Sequence, residues 1–458
     1  MATEFDLIVI GGGSAARDGA KKAADEYGAR VAMIERTRWG GSCPNVACKP
    51  TKAYLVAADL VHDVNLLADW IGIEVGSAKP NLARIRDWKR SLQRTQEGWV
   101  ELIESWGMSA YTGEATFVGP HTLRVNGEEL TAERILIATG SRTAVPPIAG
   151  IEDVDWIDHV SALELTEVPE ATIVLGGGPV GLEFGQILSR FASRVTIVNG
   201  GPHMAARSDR GAAEELQRSL EEEGIELIHE SRASAVRNED GGIVLTLDPS
   251  GKELRAAKLL LASGRAINVE ELGLEVAGVD HTPRGIAVDG YLRTSAEGIW
   301  AAGDVTGLAQ FTPVAQYQAR IAIDDMFATP LHPAEYDVLP TAIFTDPEIA
   351  GVGLSEEDAK RQGIDYDAVV HPVKYVTRAQ FTRSTHGLFK IVFDRASRRV
   401  LGIHVVSRGA SDVVQGLSLA LKLGVTVDDI ARSHHTYPSY GEGVKAAAEQ
   451  ALAVPVLE

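Results

Sequence analysis

The sequence predicts an α/β chain with two Rossmann-like dinucleotide-binding domains followed by a C-terminal α+β domain. Three observations lead there. A strand, a glycine turn and a helix open the chain, and the same order returns about 165 residues later. At 458 residues the chain is too long for one core, and about three domains is the expectation. From Pro340 onward the composition shifts to a mixed α/β tail with no glycine turn.

Phe5 to Ile10 is a continuous apolar strand that runs into Gly11-Gly12-Gly13-Ser14-Ala15-Ala16. A helix is expected to about Tyr27, then a strand Val31 to Ile34 ending on Glu35. Glycines there permit a tight turn and close approach of a pyrophosphate to the helix N-terminus. Glu35 stands where a carboxylate holds a ribose hydroxyl pair, and Ala16 replaces the third glycine. The repeat runs from the strand Ala171 to Leu175 into Gly176-Gly177-Gly178-Pro179-Val180-Gly181, a helix carrying Glu183, and a strand Val195 to Val198. Two such units imply two nucleotide sites.

Between the units, helices are expected over Thr51 to Leu67 and Asn81 to Trp106, a hairpin around Asn126-Gly127, and a strand Arg134 to Ala138 leading to Thr139-Gly140-Ser141. After the second unit come a hairpin around Ile243 to Leu247, a strand Leu259 to Ala262 before Ser263-Gly264-Arg265, and a strand Gly298 to Ala302 before Gly303-Asp304. A boundary falls near Leu339.

Residues 43 to 48 read Cys-Pro-Asn-Val-Ala-Cys and hold the only two cysteines. Five residues along a regular helix separate Cα atoms by roughly 8 to 9 Å, whereas a disulfide needs less than about 7 Å. A bridge therefore requires a loop or a distorted first helical turn, which Pro44 and Gly40-Gly41 favour. Spacing alone leaves catalysis, metal binding and coincidence open.

Hydrophobic content of 45% and charged content of 23% are those of an ordinary globular chain. With 44 Lys plus Arg against 63 Asp plus Glu, the net charge of −19 argues against nucleic acid or an anionic membrane as partner. The opening MATEFDLIVIGGG enters a strand directly, without a basic leader. No apolar run reaches the length of a membrane span. Two cysteines do not make a secreted disulfide scaffold, so a cytoplasmic protein is expected.

Taken in order, these motifs resemble the class I pyridine nucleotide-disulfide oxidoreductases: glutathione reductase, lipoamide dehydrogenase and mercuric reductase. The resemblance rests on the first glycine turn with Glu35, the block Gly40-Gly41-Ser42-Cys43-Pro44-Asn45-Val46-Ala47-Cys48-Lys49-Pro50-Thr51-Lys52, and Ala138-Thr139-Gly140. It continues through Gly176 to Glu183, Ser263-Gly264-Arg265, Ala301-Ala302-Gly303-Asp304 and Phe344-Thr345-Asp346-Pro347-Glu348, essentially the whole chain.

The resemblance implies an FAD-binding domain from residues 1–151 and 280–338, an NAD(P)-binding domain over 152–279, and a dimerisation domain over 339–458. Gly11, Gly13, Ser14, Glu35, Gly41, Ser42, Lys52, Thr139, Gly140, Gly303 and Asp304 would bind or adjoin FAD. Gly176, Gly178, Val180, Gly181, Glu183, Asn199, Gly264 and Arg265 complete the cofactor-binding set, and no metal site is expected. Lys52 would pair with Glu183 beside the flavin. Hydride would pass from nicotinamide through flavin to a Cys43-Cys48 disulfide, with Cys48 against the flavin and Cys43 the exposed interchange thiol. Lys49 would either favour the thiolate or point to solvent.

The tail departs from the pattern. It reads His434-His435-Thr436-Tyr437-Pro438-Ser439-Tyr440-Gly441-Glu442, which places Tyr437 where glutathione reductase and lipoamide dehydrogenase carry their catalytic histidine, while its usual partner Glu442 is kept. An unperturbed tyrosine is ionised in only ~0.1% of molecules at pH 7, a poor base for oxidising a dithiol. His435 is expected to be structural and His434 to face solvent. Mercuric reductases share a tyrosine here, followed by a stretch close to Glu442-Gly443-Val444-Lys445, but their C-terminal cysteine pair has no counterpart in Ala453 to Glu458.

The strand tip Val198-Asn199-Gly200-Gly201 lacks the acid that favours NAD, and no arginine stands at it, Arg207 being the nearest that follows; the missing acid favours NADPH over NADH. The expectation is thus a homodimeric, chiefly reductive flavoenzyme whose site is completed by the partner's tail and whose acceptor is a disulfide, a metal ion or a quinone. The alternatives are a mercuric reductase-like metal reductase, dithiol oxidation of the lipoamide dehydrogenase type, and a flavoprotein redox sensor.

Overall fold

The computed structural model describes residues 3–329 and 332–454, so Pro455 to Glu458 of the tail lie outside the described residues. The chain divides into two compact units, one of Met1–Pro50, Asp87–Ala144 and Gly264–Glu335, the other of Thr51–Arg86, Val145–Ser263 and Tyr336–Glu458.

In the first unit the apolar strand Leu7–Ile10 is buried at every position, as a parallel strand covered on both faces must be. Full burial of such side chains contributes about 1.5–3 kcal/mol each. It lies at the centre of a five-stranded parallel sheet ordered Ile299–Ala301, Ile135–Ile137, Leu7–Ile10, Val31–Glu35, Ser109–Thr112. The helix Ser14–Tyr27 returns across this sheet on a face of small residues, Ala16, Ala20 and Ala23. That face admits the helix Thr312–Phe327 so closely that a Cβ at Gly19 would lie 3.3 Å from the Ala319 Cβ. A second sheet orders Thr3–Phe5, Glu128–Ala132, Thr122–Val125 and Ala115–Gly119. Its expected hairpin turns at Asn126 and Gly127, with φ of 51° and 84°.

The helix expected over residues 81–106 is two helices, Leu82–Ser91 and Gln96–Ser105. Thr95 causes the break: its side chain accepts the Gly98 N–H at 3.0 Å and starts a new helix, a role threonine fills better than a helix interior. The helix expected from Thr51 begins earlier, at Cys48, because Pro50 still falls within the first turn, where no N–H is required.

The second unit holds a four-stranded parallel sheet, Glu226–Ile228, Arg194–Val198, Ala171–Leu175 and Lys258–Leu261, beside a three-stranded meander, Arg232–Glu239, Gly242–Asp248 and Glu253–Ala256. It also holds a five-stranded antiparallel sheet running Thr341–Ile343, Glu348–Gly353, Val400–Ser407, Leu388–Asp394, Tyr366–Pro372. Phe389, Ile391, Phe393, Ile403 and Val405 bury one core there. Among the described residues no helix is long and apolar enough to cross a membrane.

Candidate active site

Trp39 to Cys48 forms a clamped loop in the first unit. Gly41 has φ +70°, and a Cβ there would lie 2.4 Å from the Gly13 Cα, so the loop presses on the first glycine turn and only glycine fits. Ser42–Asn45 completes a single helical turn, which Val46 ends at φ −141°, ψ 0°. The Ser42 carbonyl accepts the N–H groups of Val46 at 2.8 Å and Ala47 at 2.9 Å, and a new helix, Cys48–Leu66, starts immediately. Asn45 fastens the loop by donating to the carbonyls of Trp39 and Gly41, both at 2.8 Å, while Gln93 donates to the Asn45 carbonyl.

The five-residue spacing is therefore not helical. The break brings the two thiols into hydrogen-bond contact. The Cys43 thiol is pushed well up by that bond to Cys48, by burial and by negative charge on Cys48; Thr312 and Arg17 pull the other way. The Thr312 hydroxyl lies 3.6 Å from the Cys48 sulfur.

In this chain Cys43 is half-buried inside the clamped turn, while Cys48 is exposed where it opens the next helix. Lys49 is exposed, the solvent-facing one of its two expected placements, and its ammonium donates to the Leu92 carbonyl just past the helix Leu82–Ser91.

Around this loop the first unit carries the features of a pyrophosphate cradle. Gly13 caps the helix Ser14–Tyr27 without a side-chain bond, leaving the first-turn N–H groups from Ser14 onward without a side-chain acceptor. The Arg17 guanidinium carbon stands 4.5 Å from the Trp99 ring centre, and the same ring abuts Gly40. Arg17 Nε and Trp99 Nε1 are buried without a hydrogen-bond partner among the described residues. Burial draws the Arg17 pKa down, opposed by charge on Cys43 and Asp18. Two orphaned buried donors beside an uncapped helix start fit an anionic group such as the FAD pyrophosphate.

Glu35 closes the adjoining strand, its carboxylate accepting Gly12 N–H at 2.7 Å, Thr37 N–H at 2.8 Å and Arg38 N–H at 3.0 Å. Gly11 turns at φ +120° against the Ala138 carbonyl. Thr139 donates to the Asn268 carbonyl at 2.6 Å, and Gly140 accepts the Asn268 N–H at 3.0 Å. Arg265, following Gly264, donates to Ser141 Oγ at 2.7 Å and stands 3.5 Å from Asp304, which accepts from Ser141; the Gly303 N–H is held by Gln318 at 2.7 Å. Gly11, Glu35, Thr139 and Gly303 thus stand at or just past the carboxyl ends of four parallel strands of one sheet.

In the second unit a Cβ at Gly181 would lie 1.8 Å from the Gly176 carbonyl, and the helix Pro179–Arg190 starts after Gly178 without a side-chain cap. Val180 is the second residue of that helix. Glu183 is 5% exposed and takes both its bonds to Lys52 at 2.8 Å, with the Phe344 N–H adding 3.1 Å; the Lys52 ammonium sits 4.4 Å over the Phe344 ring. The pair foreseen from two separate motifs is formed, and it is not a loose surface pair.

Asn199 turns its amide protons to the carbonyls of Gly201 at 3.1 Å and His203 at 2.8 Å. Arg207 is the nearest arginine following the tip in sequence, but the fold lays Arg232 against this tip, with its Nε 3.1 Å from where a Cβ of Gly200 would be.

In the tail, Tyr437 is 70% exposed, with its hydroxyl 3.5 Å from Thr377 Oγ1. His435 is occupied at both ring nitrogens, by Ser433 Oγ at 2.9 Å and the Gly441 carbonyl at 3.2 Å, a structural role. Glu442 accepts the Ser439 N–H at 2.9 Å, and Tyr440 meets Thr382 Oγ1 at 2.7 Å. His434 is exposed. Sequence patterns missed Thr312, Arg17, Trp99 and Arg232; only Thr312, a threonine before a proline opening a helix, carried a local signal.

Residues 5–319 match the pyridine nucleotide-disulphide oxidoreductases, and residues 339–448 match the dimerisation domain of that group. The chain belongs to this family. It is 36% identical to mercuric reductase of Lysinibacillus sphaericus over 97% of this chain and 82% of that protein. It is 33% identical to dihydrolipoyl dehydrogenase of Geobacillus stearothermophilus over 100% and 98%. Among solved structures it matches the Cu(II) complex of the HOCl-induced flavoprotein disulfide reductase RclA from Escherichia coli at a TM-score of 0.88 and 27% identity, covering 98% and 99% of the two chains. LpdA from Mycobacterium tuberculosis matches at 0.88 and 26%, covering 99% and 100%. This family member is an FAD-dependent, NAD(P)H-linked oxidoreductase with the dimerisation domain of a homodimer.

Proposed function

We propose that the enzyme draws electrons from NADPH in preference to NADH and passes them through the Cys43–Cys48 pair to a disulfide, a metal ion or a quinone, chiefly in the reductive direction. The observation that carries this is the thiol contact across the broken turn between Asn45 and Cys48. FAD, when bound, relays two electrons between the nicotinamide and the cysteine sulfurs. The closed disulfide takes up two electrons and one proton to give a thiol and a thiolate. The reduced pair shares one proton: with it on Cys43, Cys48 beside Thr312 is the thiolate, and with it passed to Cys48, Cys43 is the thiolate that attacks the acceptor. Lys52, four residues further along the same helix and fixed by Glu183, supplies positive charge where negative charge develops.

Direction follows from the tail. With both nitrogens of His435 engaged and a tyrosine in place of the histidine at 437, the tail is poorly equipped to deprotonate an incoming dithiol. Tyr437 can still donate a proton, and the partner subunit's tail, steadied by Glu442 at its helix start, completes the site. The domain division in this proposal is 1–151 with 280–338 for FAD, 152–279 for NAD(P) and 339–458 for the dimer interface.

Anaerobic titration with NADPH should raise a long-wavelength thiolate–flavin band that Cys48→Ser removes; no band in the wild type would overturn the disulfide mechanism. A mercuric reductase-like metal reductase is the second reading, supported by Tyr437 with Glu442-Gly443-Val444-Lys445 and by the mercuric relatives. It requires mercury-dependent NADPH oxidation that both Cys43→Ala and Tyr437→Phe abolish.

A further inference from the structure

The strand Arg194–Val198 and its neighbour Glu226–Ile228 run parallel and stay joined beyond their ends. Asn199 N–H donates to the Ile228 carbonyl at 2.8 Å, Ser231 N–H to the Asn199 carbonyl at 3.1 Å, and Glu230 N–H to the Gly201 carbonyl at 3.0 Å. These bonds hold residues 229–232 beside the tip 199–201. In a dinucleotide fold that tip is where the adenosine ribose is read: a carboxylate there takes the 2′-hydroxyl, and a cation takes a 2′-phosphate. No acid stands at residues 199–201, and the Arg232 side chain lies along Gly200. Arg232 is exposed and makes no ion pair among the described residues, although Asp248 is opposite it in the register of Arg232–Glu239 against Gly242–Asp248. Gly200 has no Cβ to fill the space that the guanidinium stem occupies.

We infer that Arg232 is the residue that reads the 2′-phosphate of NADPH, a specificity-determining contact made from a different strand than the one carrying the tip. This rests on the preference for NADPH proposed above, and deepens it. Arg232 is a donor of fixed planar geometry, suited to two phosphate oxygens at once. The contact is exposed and is therefore weakened by salt.

The test is equilibrium binding to the holoenzyme of 2′,5′-ADP, which carries the phosphate, and 5′-AMP, which does not, together with kcat/KM for NADPH and NADH. Arg232→Gln is expected to weaken 2′,5′-ADP and lower NADPH kcat/KM by roughly 10- to 100-fold, leaving 5′-AMP and NADH within about threefold. Arg232→Lys should restore part of the loss. A wild type that prefers NADH overturns the NADPH proposal itself. A wild type that prefers NADPH, with the preference unchanged in Arg232→Gln or lost instead in Arg207→Gln, overturns the assignment to Arg232 alone.

Discussion

In the first unit the strand Val31–Glu35 ends on a carboxylate that accepts three backbone N–H groups; in the second, Arg194–Val198 is followed by an amide that gives its protons to two carbonyls, with the Arg232 side chain alongside. The glycine turns that lead into these ends have nearly the same shape, with Gly11 at φ +120° and Gly176 at φ +119°, each pressed on a carbonyl of the neighbouring strand. In the proposed reading, the shared part recognises what all dinucleotides share, a pyrophosphate. The unshared part lies one strand later, where one end offers negative charge to sugar hydroxyls and the other offers positive charge. On the proposed NADPH reading, selectivity would sit in the end of the second strand and in whatever the next strand brings beside it.

The largest effects should come from filling the turns. Gly181→Val places atoms where a Cβ already lies 1.8 Å from the Gly176 carbonyl, and is expected to cut NADPH use by roughly 100-fold or more while FAD stays bound. Gly41→Val should do the reverse, with FAD lost on purification as read from visible absorbance. Equal loss of both cofactors in either variant would break the separation of the two turns.

Next, Asn199→Glu gives the second strand the ending of the first. It should move the NADPH-to-NADH ratio of kcat/KM toward NADH by roughly 10- to 100-fold, and an unmoved ratio would place selectivity elsewhere. Glu35→Gln keeps shape but removes charge, and should raise the FAD Kd by about tenfold without touching nicotinamide choice.

The smallest effect is electrostatic and confined to the first unit. The Arg142 bond, with backbone N–H groups, holds Glu270 down at about 2, against an ordinary 4.5. A depressed carboxylate stabilises fully above 4.5 and loses that contribution as pH falls toward about 2. Since the pair is exposed, Glu270→Gln should lower Tm at pH 7 by less than about 3 °C, and the difference should fade below pH 4.

Both dinucleotide turns were legible because a parallel strand buried on two faces needs an unbroken apolar run and the turn after it needs glycine. Lys52 and Glu183 were legible as partners only through their motifs, since 131 residues separate them. What local patterns could not show was produced by side chains crossing between segments. Thr95 splits a helix that periodicity joined, Lys49 turns to the Leu92 carbonyl, and Thr312 and Arg17 reach the cysteines from helices far along or before them. Arg232 was invisible for the same reason, as its place depends on how two parallel strands align past their ends.

The clamp on the cysteine loop has a kinetic consequence. The bonds that shape it, from Ser42, Asn45 and Gln93, come from neither sulfur and do not depend on the bond between them. Breaking that bond therefore leaves the sulfurs at close quarters, with an effective molarity far above any thiol in solution. A mixed disulfide formed on Cys43 meets Cys48 as its resolving group before an outside thiol can compete. The pair should close again faster than it can be trapped, and the enzyme should tolerate a large pool of small-molecule disulfides without accumulating a stalled adduct.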